Sequence, residues 1–149
     1  MPIDQGNPAM LAPAEFARFV ERTAAPDLLD LMRGARRSEV LAEVFRRMPN
    51  VFRADRAGDL DAVIHYVIGD RPDGGADVYE LVISGGACAV SPAPGGAPRL
   101  TLTLGAVDFL RLVTGNVHPV VLVMRGRLRT KGDVGLTAKF PSLFDVGRK

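Results

Sequence analysis

The run Leu100-Thr-Leu-Thr-Leu104 alternates apolar and polar residues without a break, and together with the segments downstream of it leaves the fold little freedom. Alternation of this kind puts the three leucines on one face of a strand, which is half buried and needs an apolar layer against that face. Gly105 ends the alternation. Ala106, Phe109, Leu110 and Val113 then recur at helical spacing, leaving Asp108, Arg111 and Thr114 for water, and Gly115-Asn116 stops the helix. Pro119 to Met124 is apolar on every side and reads as a short buried helix begun by a proline, whose missing N–H costs nothing there. Next, Arg125, Arg127, Arg129 and Lys131 alternate with Gly126, Leu128 and Thr130, a spacing that in a strand sends all four charges to one face. Asp133 is placed to cap a last helix bearing Leu136 and Phe140, with Leu143 and Phe144 beyond Pro141.

Upstream, Pro13–Arg22 reads as an amphipathic helix with Phe16, Phe19 and Val20 inward, and Asp27–Arg33 as a second, shorter one. A third begins at Ser38, whose hydroxyl can cap it, and carries Val40, Leu41, Val44 and Phe45 as far as Pro49. Leu60–Ile68, Val78–Ile83 and Ala87–Val90 are rich enough in β-branched and apolar residues to be strands, separated by turn-forming loops. Short connections imply an antiparallel meander running on into Leu100–Leu104, with Arg127–Lys131 joining by a crossover. The expected architecture is α+β: a mainly antiparallel, twisted sheet of about five strands covered by helices on one side.

Composition excludes several classes. No apolar run approaches the ~20 residues of a membrane-spanning helix. The single cysteine, Cys88, cannot form an internal disulfide, and Met1–Gln5 has no secretion-signal pattern, so a cytoplasmic setting is expected. Net charge is +2 but uneven: residues 61–110 carry two basic and six acidic side chains, residues 111–149 eight basic and two acidic.

Candidates for chemistry are few. His65 and His118, the only histidines, read as buried hydrogen-bonded residues, and Cys88, between two alanines, as a small buried hydrophobe. No cluster has metal-ligand spacing, Ser84 is not in a nucleophile elbow, and the Gly85-Gly86 and Gly95-Gly96 pairs match no phosphate loop. No catalytic residue, metal or cofactor is called for. The basic strand is either a solvated edge that discourages sheet pairing or a surface for weak contact with anionic membrane head groups. Nucleic acid is not an expected partner, because no aromatic residue lies among Arg125, Arg127, Arg129 and Lys131 to stack on bases.

The strand Leu100–Leu104, the helix end D-F-L-R-L-V-T-G-N at residues 108–116, the strand G-R-L-R-T-K-G-D at 126–133 and the tail P-S-L-F at 141–144 come in an order that resembles the sterol carrier protein family. The resemblance spans about Ser38 to Phe144. It implies a lipid-binding domain over residues 38–149, with residues 1–37 a helical extension that covers a pocket, swaps between subunits or simply packs. It further implies an apolar cavity between the sheet and the C-terminal helices, holding fatty acids, fatty acyl thioesters, phospholipids or sterols without catalysis. Phe109, Leu110, Val113, Val120, Val123, Met124, Leu136, Phe140 and Phe144 are the expected lining. An interaction or oligomerisation module with a filled core, for instance a homodimer, and an enzyme using the same cavity for a hydrophobic substrate, are the rival functions.

Overall fold

Among the described residues a 3₁₀ turn (Pro8–Met10) and three helices precede the sheet, α1 (Pro13–Arg22), α2 (Ala25–Met32) and α3 (Arg37–Val51), followed by the single turn α4 (Ala54–Ala57). The strands are β1 (Ala62–Ile68), β2 (Asp77–Ser84), β3 (Ala87–Ser91), β4 (Leu100–Leu104) and β5 (Leu128–Gly132). Between β4 and β5 lie α5 (Ala106–Val113) and α6 (Pro119–Met124); α7 (Val134–Lys139) and a 3₁₀ turn (Phe140–Leu143) close the chain. The structure, a computed structural model, describes residues 7–145.

The strands form one sheet in the order β3-β2-β1-β4-β5. β1, β2 and β3 make the expected meander, but β4 does not extend it. It crosses back to pair with β1 in parallel, Ile64 opposite Leu100 and Ile68 opposite Leu104. The other pairings are antiparallel. Burial explains the choice: β1 offers Ile64, Tyr66 and Ile68 to the interior, so the leucines of β4 gain a deeper neighbour there than beside the small residues of β3.

The crossover from β3 to β4 is held by one carboxylate. Glu80 Oε1 accepts from the backbone N–H of Gly95 at 3.0 Å and of Gly96 at 2.9 Å, and lies 3.0 Å from His65 Nε2. The Gly96 amide, with His65 and Gly95, holds this carboxyl below the usual range. His65 is thus part of a half-buried hydrogen-bonded pair on the sheet face away from the helices.

All the helices of the core cover the other face. Leu81 and Ile83, Ile64 and Tyr66, and Leu100, Leu102 and Leu104 form its floor, each no more than 4% exposed. Phe45 of α3 stacks on Tyr79 at 4.0 Å and packs on Phe109 of α5 at 5.4 Å, while Tyr66 meets Phe45, Phe109 and Phe140 edge-on. Such offset and edge contacts suit the ring quadrupoles.

α1 and α2 pack within the same chain, with Val20, Leu28 and Met32 fully buried. α3 begins one residue before Ser38 and has no side-chain cap; its start is fixed instead by Arg37. Pro49 sits inside its last turn rather than ending it. At the start of α5, Asp70, with φ 65°, turns its carboxylate to accept from the Ala106 N–H at 3.0 Å. Aspartate tolerates this left-handed conformation better than most residues, and its charge suits a helix N-terminus. Asp133 caps α7, its Oδ1 accepting from Leu136 N–H at 3.2 Å.

Asp108 is the clearest departure from the helical wheel. It is 5% exposed and takes the Arg127 guanidinium at 2.9 Å, because the turn between α6 and β5 brings that arginine to α5. The four-charge face is accordingly split. Arg125 and Arg127 lie before the strand starts at Leu128; Arg129 and Lys131 are exposed on β5, opposite Thr103 and Thr101.

Glu43 of α3 gives a pH prediction. Its carboxylate is 8% exposed and is bound by Arg46 at 2.6 Å and Arg47 at 2.7 Å, and these contacts, Arg46 first, lower it to about 2. A carboxyl lowered on folding stabilises the protein above its unfolded value near 4.5 and loses that contribution as pH falls towards 2. Thermal melts across that window should fall less steeply for Glu43→Gln than for the wild type. Equal slopes would show that the ion pairs contribute nothing, and high salt should shrink the difference because Arg46 is largely exposed.

Candidate functional site

A pocket of about 320 Å³ opens beside the aromatic cluster. Tyr66 of β1 forms its floor, Val44, Met48 and Val51 of α3 one wall, and Leu112, Val113 and Val117 the opposite wall. Phe140, Pro141 and Phe144 close the C-terminal end, and Ala9, Pro13 and Phe16 roof it from the N-terminal side. The helices stand apart here for a local reason. α5 ends at Val113, the loop to α6 is fixed by Thr114 and Asn116, and the C-terminal turn is bridged to the end of α3 through Phe52 and Phe144.

Arg47, Thr114, Asn116, His118 and Asp145 are the polar members of the lining. Arg47 is tied to Glu43 and to the Leu11 carbonyl, which directs its aliphatic stem along the pocket. The Thr114 hydroxyl donates to the Leu110 carbonyl, so towards Asn116 it can only accept. The Asn116 amide donates to Thr114 and to the Ala17 carbonyl, which fixes its orientation and leaves its Oδ1 buried without a partner. Asn116 thereby pins α1 to the loop after α5, and α1 to the pocket. His118 is not buried: it is exposed at the pocket margin and caps α6, its Nδ1 accepting from Val120 N–H at 3.1 Å. The proline after it keeps it extended, which is the geometry a helix cap requires.

The pocket brings together only part of the lining expected from sequence. Val113, Phe140 and Phe144 line it. Phe109, Leu110 and Leu136 are in the closed core, at most 4% exposed, and do not reach the pocket. Val120, Val123 and Met124 lie outside it on the surface. The reason is the shortness of α6: a helix of six residues with one neighbouring layer buries one side, here Pro119 and Leu122, whatever the composition of the other. The wall from α3 is not among the lining expected from sequence, whereas a roof from α1 is one of the three roles the sequence leaves open for residues 1–37. Val44, Met48 and Val51 do follow helical spacing, but that spacing alone does not separate a pocket wall from core.

Neither the tyrosine on the pocket floor nor the cysteine is an activated group. Tyr66 is 1% exposed, and burial raises its phenol well above the ordinary range. Burial likewise pushes the Cys88 thiol, on the distant edge strand β3, up to about 12, which keeps it protonated and unreactive at neutral pH. Among the described residues no three of His, Cys, Asp and Glu are grouped to hold a metal ion, and no helix is long and apolar enough to cross a membrane.

The sequence pattern of the SCP-2 sterol transfer family matches residues 41–145. Hydroxysteroid dehydrogenase-like protein 2 of Xenopus tropicalis is 23% identical over 107 residues, 71% of this chain and 25% of that protein. Sterol carrier protein 2 of Homo sapiens is 26% identical over 84 residues, 56% of this chain and 15% of that protein. The chain therefore spans only a small part of the length of these curated relatives. Among solved structures, apo sterol carrier protein 2 from Yarrowia lipolytica superposes with a TM-score of 0.58 at 23% identity, covering 72% of this chain and 88% of that one. That likeness concerns the fold: a mixed sheet, mostly antiparallel, with its helices on one face. With the family pattern covering most of the chain and the same architecture in the coordinates, this protein belongs to the SCP-2 sterol transfer family.

Proposed function

We propose that this chain binds an apolar or amphipathic lipid in the pocket between α3, α5 and the C-terminal turn, and carries it without chemical change. The observation that supports this reading is the lining, which is mainly aliphatic and aromatic, with Arg47, Thr114, Asn116, His118 and Asp145 as its polar members. That is the composition of a small-molecule site, and the volume is at the lower end of the usual range of about 300–1,000 Å³. Fatty acids, fatty acyl thioesters, phospholipids through one acyl chain, and sterols are the cargo classes. Burying ~10 methylenes yields about 8 kcal/mol, the equivalent of micromolar binding, before the cost of ordering the ligand, so the expected affinity is weaker than micromolar.

Filling the pocket tests this. In delipidated protein, Val113→Trp should weaken binding of a fluorescent stearate by at least about tenfold while the thermal midpoint stays within a few degrees. Unchanged affinity in a folded variant would place the ligand elsewhere or nowhere. Met124→Arg is the control, because Met124 is 81% exposed and lies outside the pocket, so stearate affinity in solution should not change.

A further inference from the structure

The least expected feature of the surface is α6. Met124 is 81% exposed, Val120, Val121 and Val123 are 39%, 37% and 40% exposed, and Val134, at the start of the neighbouring α7, is 67% exposed. Scattered surface valines need no explanation, but a short helix that turns four apolar side chains to water, beside a fifth, leaves an apolar face uncovered. Basic residues predominate around it, the two aspartates that flank this stretch of sequence being ion-paired, Asp108 with Arg127 and Asp133 with Arg99. From Phe109 to Gly132 the sequence holds five basic residues and no acidic one. Arg125 comes directly after Met124 and makes no ion pair with any described residue, while Arg127, half exposed, has only Asp108. Immediately before α6, Val117 and His118 are at the pocket margin.

We infer that α6 with Arg125 and Arg127 is a docking surface for an anionic phospholipid bilayer, its valines and Met124 entering the interface while the arginines meet the head groups. Apolar side chains with basic neighbours are the pairing by which a helix lies in a membrane interface: burial supplies the hold, and charge supplies the attraction and its lipid selectivity. A second protein copy would have to bring acidic groups to the same place or leave Arg125 unpaired against Arg125. The inference rests on the proposed lipid-carrier function, to which it adds the place of loading: the docked face adjoins the pocket margin, so cargo crosses a short path.

Sedimentation with vesicles of phosphatidylcholine containing about one third phosphatidylglycerol, and with phosphatidylcholine alone, tests it. The full chain should bind the anionic vesicles, more weakly at raised salt, and bind the neutral ones poorly. Met124→Glu should weaken anionic-vesicle binding about tenfold or more, and Arg125→Glu should do the same while flattening the salt dependence. Both sites are exposed, so folding is not at risk, and stearate affinity in solution should stay at the wild-type value. Wild-type protein that ignores anionic vesicles, or variants that bind them as the wild type does, would overturn the docking surface even if stearate still binds. So would native mass spectra in which the wild type is a dimer and Met124→Glu a monomer, since a second copy would then cover α6. Loss of stearate binding in Val113→Trp with vesicle binding kept separates the two functions.

Discussion

Replacing Arg37 by alanine should destabilise the protein by about 3–5 kcal/mol. The guanidinium is 5% exposed and spends its donors on four groups: Asp77 at 2.9 Å, and the carbonyls of Met32 at 3.2 Å, Gly69 at 2.9 Å and Ile68 at 2.8 Å. It ties the end of α2 and the end of β1 to the start of β2. Asp77, 35% exposed, keeps Arg71 at 3.6 Å, but truncation removes the side-chain donor from three carbonyls and leaves a space that alanine does not fill. Lysine would not restore them, because one ammonium cannot present the planar fork that reaches four acceptors in different directions. Urea unfolding should show the midpoint falling by roughly 2 M with little change in slope, given a slope of about 2 kcal/mol/M. A loss below about 1 kcal/mol would mean that water replaces the guanidinium and that the junction is wetter than its burial indicates. Because α1 roofs the pocket and belongs to the same N-terminal layer, stearate binding should weaken at temperatures below the melt as well.

Gly132→Ala is the second large effect. Gly132 has φ 107°, outside the region that side chains accept, and a Cβ there would stand 2.2 Å from the Arg99 carbonyl oxygen and 3.1 Å from its carbon. Those are backbone atoms pinned by the pairing of β4 with β5, Leu100 opposite Gly132, and by the Asp133 N–H, which donates to Arg99 O at 2.9 Å. Strained backbone and overpacking together should cost about 3 kcal/mol, near 10 °C in thermal midpoint for a chain of this size. Gly126→Ala is the comparison. It also has positive φ, at 71°, but nothing stands within 4 Å of its Cβ, so only the conformational cost of about 1 kcal/mol applies. If the two variants lose the same stability, the close approach at Gly132 relaxes without cost and the edge strand β5 is looser than its register shows.

The local rules of the chain were legible in advance wherever a side chain answers to its own neighbours in sequence. Alternation gave β4 from Leu100 to Leu104, Pro119 started α6, Asp133 capped α7, and the helix Pro13–Arg22 begins and ends where its apolar spacing does. The order of these pieces also identified the family, because punctuation by glycine, proline and capping residues records where a fold turns.

Tertiary structure alone decided three things. It placed β4 beside β1 in parallel, because strand order is settled by which buried faces meet and not by the length of the connecting loop. It turned Asp108 inward to Arg127 and α6 outward to solvent, since whether a helix face is buried depends on how many layers surround it. And it separated Phe109, Leu110 and Leu136, which fill core, from Val113, Phe140 and Phe144, which border a space. All six are apolar residues of the C-terminal part of the chain. A pocket is a place where packing stops, and the residues at its edge carry no mark of that until three walls from distant parts of the chain are brought around it.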